Sequence, residues 1–121
     1  IMKTKKKIIC FDIDGVVCRT NKNFYKNSKP IIENIRTINR VYESGFTVIL
    51  FTARFMGRSN ENISLAKKKG LSLTKKQLLK WGVKFNKLIF GKPSFDIVVD
   101  DKALNYKSNW SKTIFKTINK K

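Results

Sequence analysis

The stretch Lys-Ile-Ile-Cys-Phe-Asp-Ile-Asp-Gly-Val-Val, from Lys7 to Val17, restricts the possible folds of this chain more than any other. Ile8 to Phe11 is an unbroken apolar run rich in β-branched and aromatic residues, the pattern of a buried strand. It runs straight into Asp12, Asp14 and Gly15, so the strand delivers two carboxylates to one place. Residues i and i+2 of an extended segment point the same way, and both acids can meet one ligand. In an open parallel sheet that place is the crevice beyond the carboxyl ends of the strands, where such folds bind ligands. Read alone, Asp14-Gly15 also fits a plain hairpin turn.

The remaining acids strengthen the first reading. The chain has five Asp, four of which form the pairs Asp12/Asp14 and Asp100/Asp101, each closing an apolar run. Carboxylates so close together are costly unless a cation neutralises them. With no histidine, Ser-His-Asp and Cys-His catalysis are excluded, and a zinc site is scarcely feasible. Neither cysteine opens a Cys-x5-Arg phosphatase loop, and no Walker-type Gly-Lys-Ser/Thr loop occurs. Carboxylates, Lys, Arg and Thr are left to carry any chemistry.

The 121 residues are expected to form one domain spanning 1–121. Ile1 precedes Met2, which is the expected natural start. The basic tract Lys3 to Lys7 imitates a signal-peptide n-region, but Asp12 interrupts the apolar run after it, and no apolar segment has the length of a membrane span. Two cysteines, Cys10 and Cys18, make no disulfide framework, so a cytoplasmic location is expected. The formal charge of +19 leaves nucleic acid open as a partner through the basic surface. Lysine far outnumbers arginine and is scattered along a chain also rich in Asn and Ile, which favours codon bias as the source of the charge.

Cys18 to Lys29 reads as a polar loop or short flap carrying Phe24-Tyr25. Pro30 suits the first turn of a helix whose apolar residues recur from Ile31 to Tyr42 and stop at Gly45. Phe46 to Phe51 is a second strand, ending in Thr52-Ala53-Arg54. Glu61 to Lys69 predicts a short helix closed by Gly70, and Thr74-x-x-Gln77 reads as a capping box opening another that stops near Gly82. Leu88 to Phe90 and Phe95 to Val99 are the third and fourth strands, ending in Gly91-Lys92-Pro93 and Asp100-Asp101. Trp110 to Ile118 has near-helical spacing. Strands separated by helices call for a three-layer, Rossmann-like α/β domain with a mainly parallel sheet. The intervals after Asp14 and Thr52 leave no room for a large cap domain.

With these motifs in order, the chain resembles the haloacid dehalogenase (HAD) superfamily of phosphohydrolases. Asp12-x-Asp14-Gly15-Val16-Val17 is similar to its first motif, Thr52 to its second, Lys92 to its third and Asp100-Asp101 to its fourth. The phrases Phe-Thr-Ala-Arg and Phe-Gly-Lys-Pro-Ser-Phe-Asp-x-x-x-Asp-Asp-Lys resemble small phosphatase-like proteins associated with capsule and surface-polysaccharide biosynthesis. The resemblance implies a phosphomonoester hydrolase with Asp12 as nucleophile, Asp14 as acid and base, Thr52 on a phosphoryl oxygen and Lys92 neutralising charge. It implies Mg2+, with Asp12, the Asp14 carbonyl and Asp100 as ligands and Asp101 as support or alternate ligand.

Substrate contacts are expected from Ile13, Gly15, Ala53, Arg54 and Arg58, with Gly15 turning the chain so that backbone N–H groups face the phosphate. Arg54 and Arg58 either grip a substrate acid from the rim or are simply solvated. Asn105 either supports the metal through water or lies on a helix surface, and Phe24, Tyr25 and Phe55 are read as packing. A phosphorylated sugar is the implied substrate. Nucleotides or polynucleotide 3′-phosphates come second, and a catalytically silent nucleic-acid-binding module is the reading from another class. An open site suits a large substrate or a homo-oligomer whose neighbour supplies a lid.

Overall fold

The computed structural model describes residues 7–119, which leaves Met2 and most of the basic tract, Lys3 to Lys6, outside the described residues. Three strands form a parallel sheet in the order β1 (Ile8–Asp12), β4 (Thr47–Thr52), β5 (Lys87–Phe90). The register pairs Asp12 with Phe51 and Thr52 with Phe90, so all three strands end at one edge. Between β1 and β4 lie a two-residue antiparallel ribbon, β2 (Cys18–Arg19) with β3 (Lys29–Pro30), and the helix α1 (Ile32–Glu43). Helix α2 (Ile63–Trp81) joins β4 to β5, and α3 (Trp110–Ile118) closes the described chain. The result is a small Rossmann-like α/β domain without a large cap.

Side chains on one face of the sheet are buried. Phe11, Val48 and Leu50 share a cluster with Ile35, Ile38 and Val41 of α1, Leu78 of α2, and Trp110, Ile114 and Ile118 of α3. The other face stays open at Ile8 (61 % exposed), Cys10 and Ile89. No helix among the described residues is long and apolar enough to cross a membrane.

Several elements differ from expectation. Pro30 is not in a helix: it pairs with Cys18 in β3, a two-strand edge where its missing N–H costs no bond, and α1 begins at Ile32. The polar flap is the β2–β3 ribbon, with one 3-10 turn at Tyr25–Asn27. Gly70 does not end a helix, nor does Thr74 begin one. Helix α2 runs through both, capped by the Asn62 side chain, which accepts from Leu65 N at 3.0 Å, and closed by Gly82 at φ 71°. Packing overrides the local stop signal, because Gly70 lies where an added Cβ would sit 2.5 Å from the Phe55 ring. The strand expected at Phe95 to Val99 does not form. Residues 91–109 hold neither strand nor helix, and Ile97 (82 % exposed) and Val99 (95 %) face solvent. An apolar run becomes a strand only where an edge pairs its backbone, and this one takes no place in the sheet.

Candidate functional site

Asp12 is the last residue of β1, and its Oδ2 lies 3.3 Å from Lys92 Nζ. Its Oδ1 accepts from the N–H of Ile13 at 2.9 Å. Burial pushes the Asp12 carboxyl above its ordinary range, and the Lys92 ammonium partly opposes that rise. Lys92 arrives from two residues beyond β5, where its N–H donates to Thr52 O at 3.1 Å and extends the β4–β5 pairing by one bond. Gly91 turns the chain there at φ 105°, and a Cβ on it would meet Ile63 of α2 at 2.9 Å. Only glycine fits both the angle and the space.

Thr52 is fully buried at the end of β4. Its Oγ1 accepts from Arg54 N at 3.0 Å, which leaves the hydroxyl proton to donate elsewhere. Ala53 is half-buried and its carbonyl accepts from Met56 N, bending the chain after the strand.

Asp14 belongs to a different set of bonds. Arg54 Nε donates to its two oxygens at 3.2 and 3.0 Å, and Arg54 Nη2 lies 3.0 Å from Oδ1. Thr20 Oγ1 donates to the same oxygen at 2.5 Å. Arg54 is among the largest fully buried side chains, which replaces both the rim reading and the solvated one. A buried guanidinium must spend its donors inside the protein. Its Nη1 donates to Thr74 Oγ1 at 3.2 Å and Gln77 Oε1 at 2.5 Å, and its Nη2 to Ser28 Oγ at 3.3 Å. The Thr74-x-x-Gln77 spacing is thus a helix face turned inward, not a cap. That i, i+3 polar pair facing an arginine was the available signal, and Thr20, Ser28, Thr74 and Gln77 were all missed as members of the site.

The turn after Asp12 also departs from expectation. Gly15 has φ 94°, but its N–H donates to Cys18 O at 2.7 Å and does not stand free for a phosphate. The carbonyl of Ile13 accepts from Val16, Val17 and Cys18, which makes this a self-satisfied loop.

Asp12, Thr52 and Lys92 therefore reach the same carboxyl edge of the sheet, with Asp12 paired to Lys92, while Asp14, two residues beyond β1, is paired to Arg54. Asp100 and Asp101 do not join them. Both are exposed in residues 91–109, with Asp100 Oδ1 accepting from Lys102 N at 2.8 Å. Asn105 is exposed on the same stretch and not on a helix. Among the described residues no three acidic, cysteine or histidine side chains gather into a metal-holding group. Asp12 and Asp14 have the hard oxygen chemistry that suits Mg2+, but each faces a cation of the chain, and the donor set implied for the ion is incomplete as arranged.

Arg58 is exposed on the loop after β4. Its guanidinium lies over the rings of Tyr25 (5.4 Å) and Phe55 (5.1 Å), and its Nη2 donates to the Asn23 carbonyl.

No family model matches the chain, and no curated protein does. Among solved structures it is similar to an MCSG structural-genomics target from Vibrio cholerae, at TM-score 0.76 and 22 % identity over 92 % of this chain and 98 % of that one. That likeness carries the fold.

Proposed function

We propose that this chain hydrolyses phosphate monoesters in the manner of the HAD phosphatases, through a covalent aspartyl-phosphate on Asp12. The observation that carries the reading is the Asp12–Lys92 pair, two side chains 80 positions apart held 3.3 Å from each other at the carboxyl edge of a parallel sheet. A phosphoryl group is anionic, so its attacker must come with countercharge already placed. Lys92 supplies that charge beside the nucleophile. Thr52, with a proton to donate, stands at the end of the neighbouring strand.

In the first step an Asp12 carboxylate oxygen would bond to phosphorus as the bond from phosphorus to the ester oxygen breaks. The electron pair leaves with that oxygen, which takes a proton from Asp14. In the second, Asp14 would receive a proton from water as the hydroxide attacks phosphorus and releases Asp12. Arg54 fixes the direction of the Asp14 carboxylate by three contacts.

Mg2+ is part of the proposal as further countercharge. Asp100 and Asp101 lie apart from Asp12, so Asp12 and Asp14 are the acids left at the site that would hold the ion. A cytoplasmic phosphatase acting on a phosphorylated sugar of surface-polysaccharide assembly is the setting that the motif resemblance favours. Phosphate release from 4-nitrophenyl phosphate, with Mg2+ or with chelator, tests the reading. Turnover that needs Mg2+ and disappears in Asp12→Asn is expected; turnover unchanged in that variant would overturn the covalent role.

A further inference from the structure

Asn23 to Asn27 of the ribbon, Phe55 and Arg58 after β4, and Leu73 of α2 line a cavity of about 250 Å3. Its walls carry three aromatic rings and two cations, Lys26 and Arg58, and no acid. The cavity is held open by features that a loose flap would lack. Phe55 adopts φ 65°, a conformation that a bulky residue takes only where its surroundings impose it. Its ring fits because position 70 is glycine, and it packs on Tyr25 with centroids 4.8 Å apart. The two rings in turn hold the Arg58 guanidinium by cation–π contact. One N–H of Arg58 goes to the Asn23 carbonyl, and a guanidinium has further donors in the same plane. Phe24 remains 57 % exposed, an aromatic surface available for stacking.

The cavity shares a wall with the site. The Arg54 guanidinium that grips Asp14 lies 5.0 Å from the Tyr25 ring centroid. Gln77, which accepts from Arg54, donates to Tyr25 O at 2.6 Å. A molecule in the cavity is therefore one ring away from the Asp14–Arg54 pair.

We propose, resting on the phosphatase reading, that this cavity receives the leaving group of the phosphoester and selects one that carries a ring and a second anionic group. The ring stacks on Phe24, and the anion pairs with Arg58 and Lys26. Nucleotides and phosphorylated sugars both supply that chemistry. Adenosine 3′,5′-bisphosphate against adenosine 3′-monophosphate, and glucose 1,6-bisphosphate against glucose 1-phosphate, distinguish the two sources.

For one of these pairs the bisphosphate is expected to show a KM roughly tenfold lower at similar kcat, the scale of one charge-assisted contact. Arg58→Ala should erase that preference, and Phe24→Ala should raise KM for both members of the pair. Arg58→Gln, with thermal melts of every variant, separates lost binding from lost folding. Calorimetric titration of Asp12→Asn with the same four compounds reads binding without turnover. Bisphosphate preference there, in a wild type that releases no phosphate, keeps the anion site and removes the phosphatase reading. Turnover without any preference, or a preference that survives Arg58→Ala, overturns the inference and leaves the phosphatase reading standing.

Discussion

The loop after β1 and the stretch from 91 to 109 each carry acids behind an apolar run, and the fold treats them in opposite ways. Asp14 meets a fully buried arginine that is itself held by Thr74, Gln77 and Ser28, and its carboxylate also accepts from Thr20. Among the described residues, Asp100 bonds only to the backbone N–H two residues ahead, in a segment whose Ile97 and Val99 are exposed. An acid at a strand end is positioned by the network that reaches it, not by the run that precedes it. Hydrogen bonding at this site is concentrated around Asp14, and the contrast can be broken at several points.

The largest effect is expected for Arg54→Met. Removing one member of a buried pair costs about 3–5 kcal/mol, here near the lower end because the Asp14 side chain is 27 % exposed. Chemical denaturation reads that loss. Turnover should fall with it, and Arg54→Lys should restore folding better than activity, because an ammonium cannot reproduce the forked contact. A variant as stable as the wild type would remove the basis of the comparison.

Gly70→Ala comes next. Alanine gains up to about 1 kcal/mol of helix propensity over glycine. The added Cβ would meet Phe55 at 2.5 Å and Phe90 at 3.1 Å, and overpacking of this kind costs about 1–3 kcal/mol. A net loss is expected by thermal unfolding, and a gain would mean that the Phe55 ring yields freely.

A smaller effect comes from pH. Burial raises the Asp12 carboxyl, so the folded protein holds that proton more tightly than the unfolded chain does. The resulting stability is complete below the ordinary carboxylate range and is lost as pH rises through the elevated one. Asp12→Asn cannot lose it. In chelator, the wild-type Tm should fall relative to the variant as pH rises across that window, and a constant gap would contradict the shift. Least of all should happen in Asp100→Asn, whose stability is expected within about 0.5 kcal/mol of the wild type. A larger loss would show that the 91–109 segment is held by more than its local bond.

The sheet and one edge of the site were legible because Ile8–Phe11, Val48–Phe51 and Leu88–Phe90 are contiguous apolar runs separated by helix-length segments. A parallel sheet sends all their carboxyl ends to one side, which is how Asp12, Thr52 and Lys92 could be grouped before any contact was known. What escaped was decided between segments. Gly70 and Thr74 carry helix-ending and helix-starting signals, yet α2 passes through both because Phe55 needs the missing Cβ and Arg54 needs the hydroxyl. Arg54 looked like a rim residue because charge usually stays in water; its burial follows from acceptors on five residues, Asp14, Cys18, Ser28, Thr74 and Gln77, dispersed over positions 14 to 77. Phe95–Val99 satisfies every local rule for a strand and still lacks a partner, since pairing depends on an available edge and no local pattern encodes one.

Acid quench of the wild-type protein during turnover of an aryl phosphate, followed by peptide mass spectrometry, tests the central claim most directly. One phosphoryl group on the peptide containing Asp12, absent when Asn stands at that position, is the result expected. Phosphate release with no phosphorylated Asp12 at any quench time, and at an undiminished rate in Asp12→Asn, would contradict it.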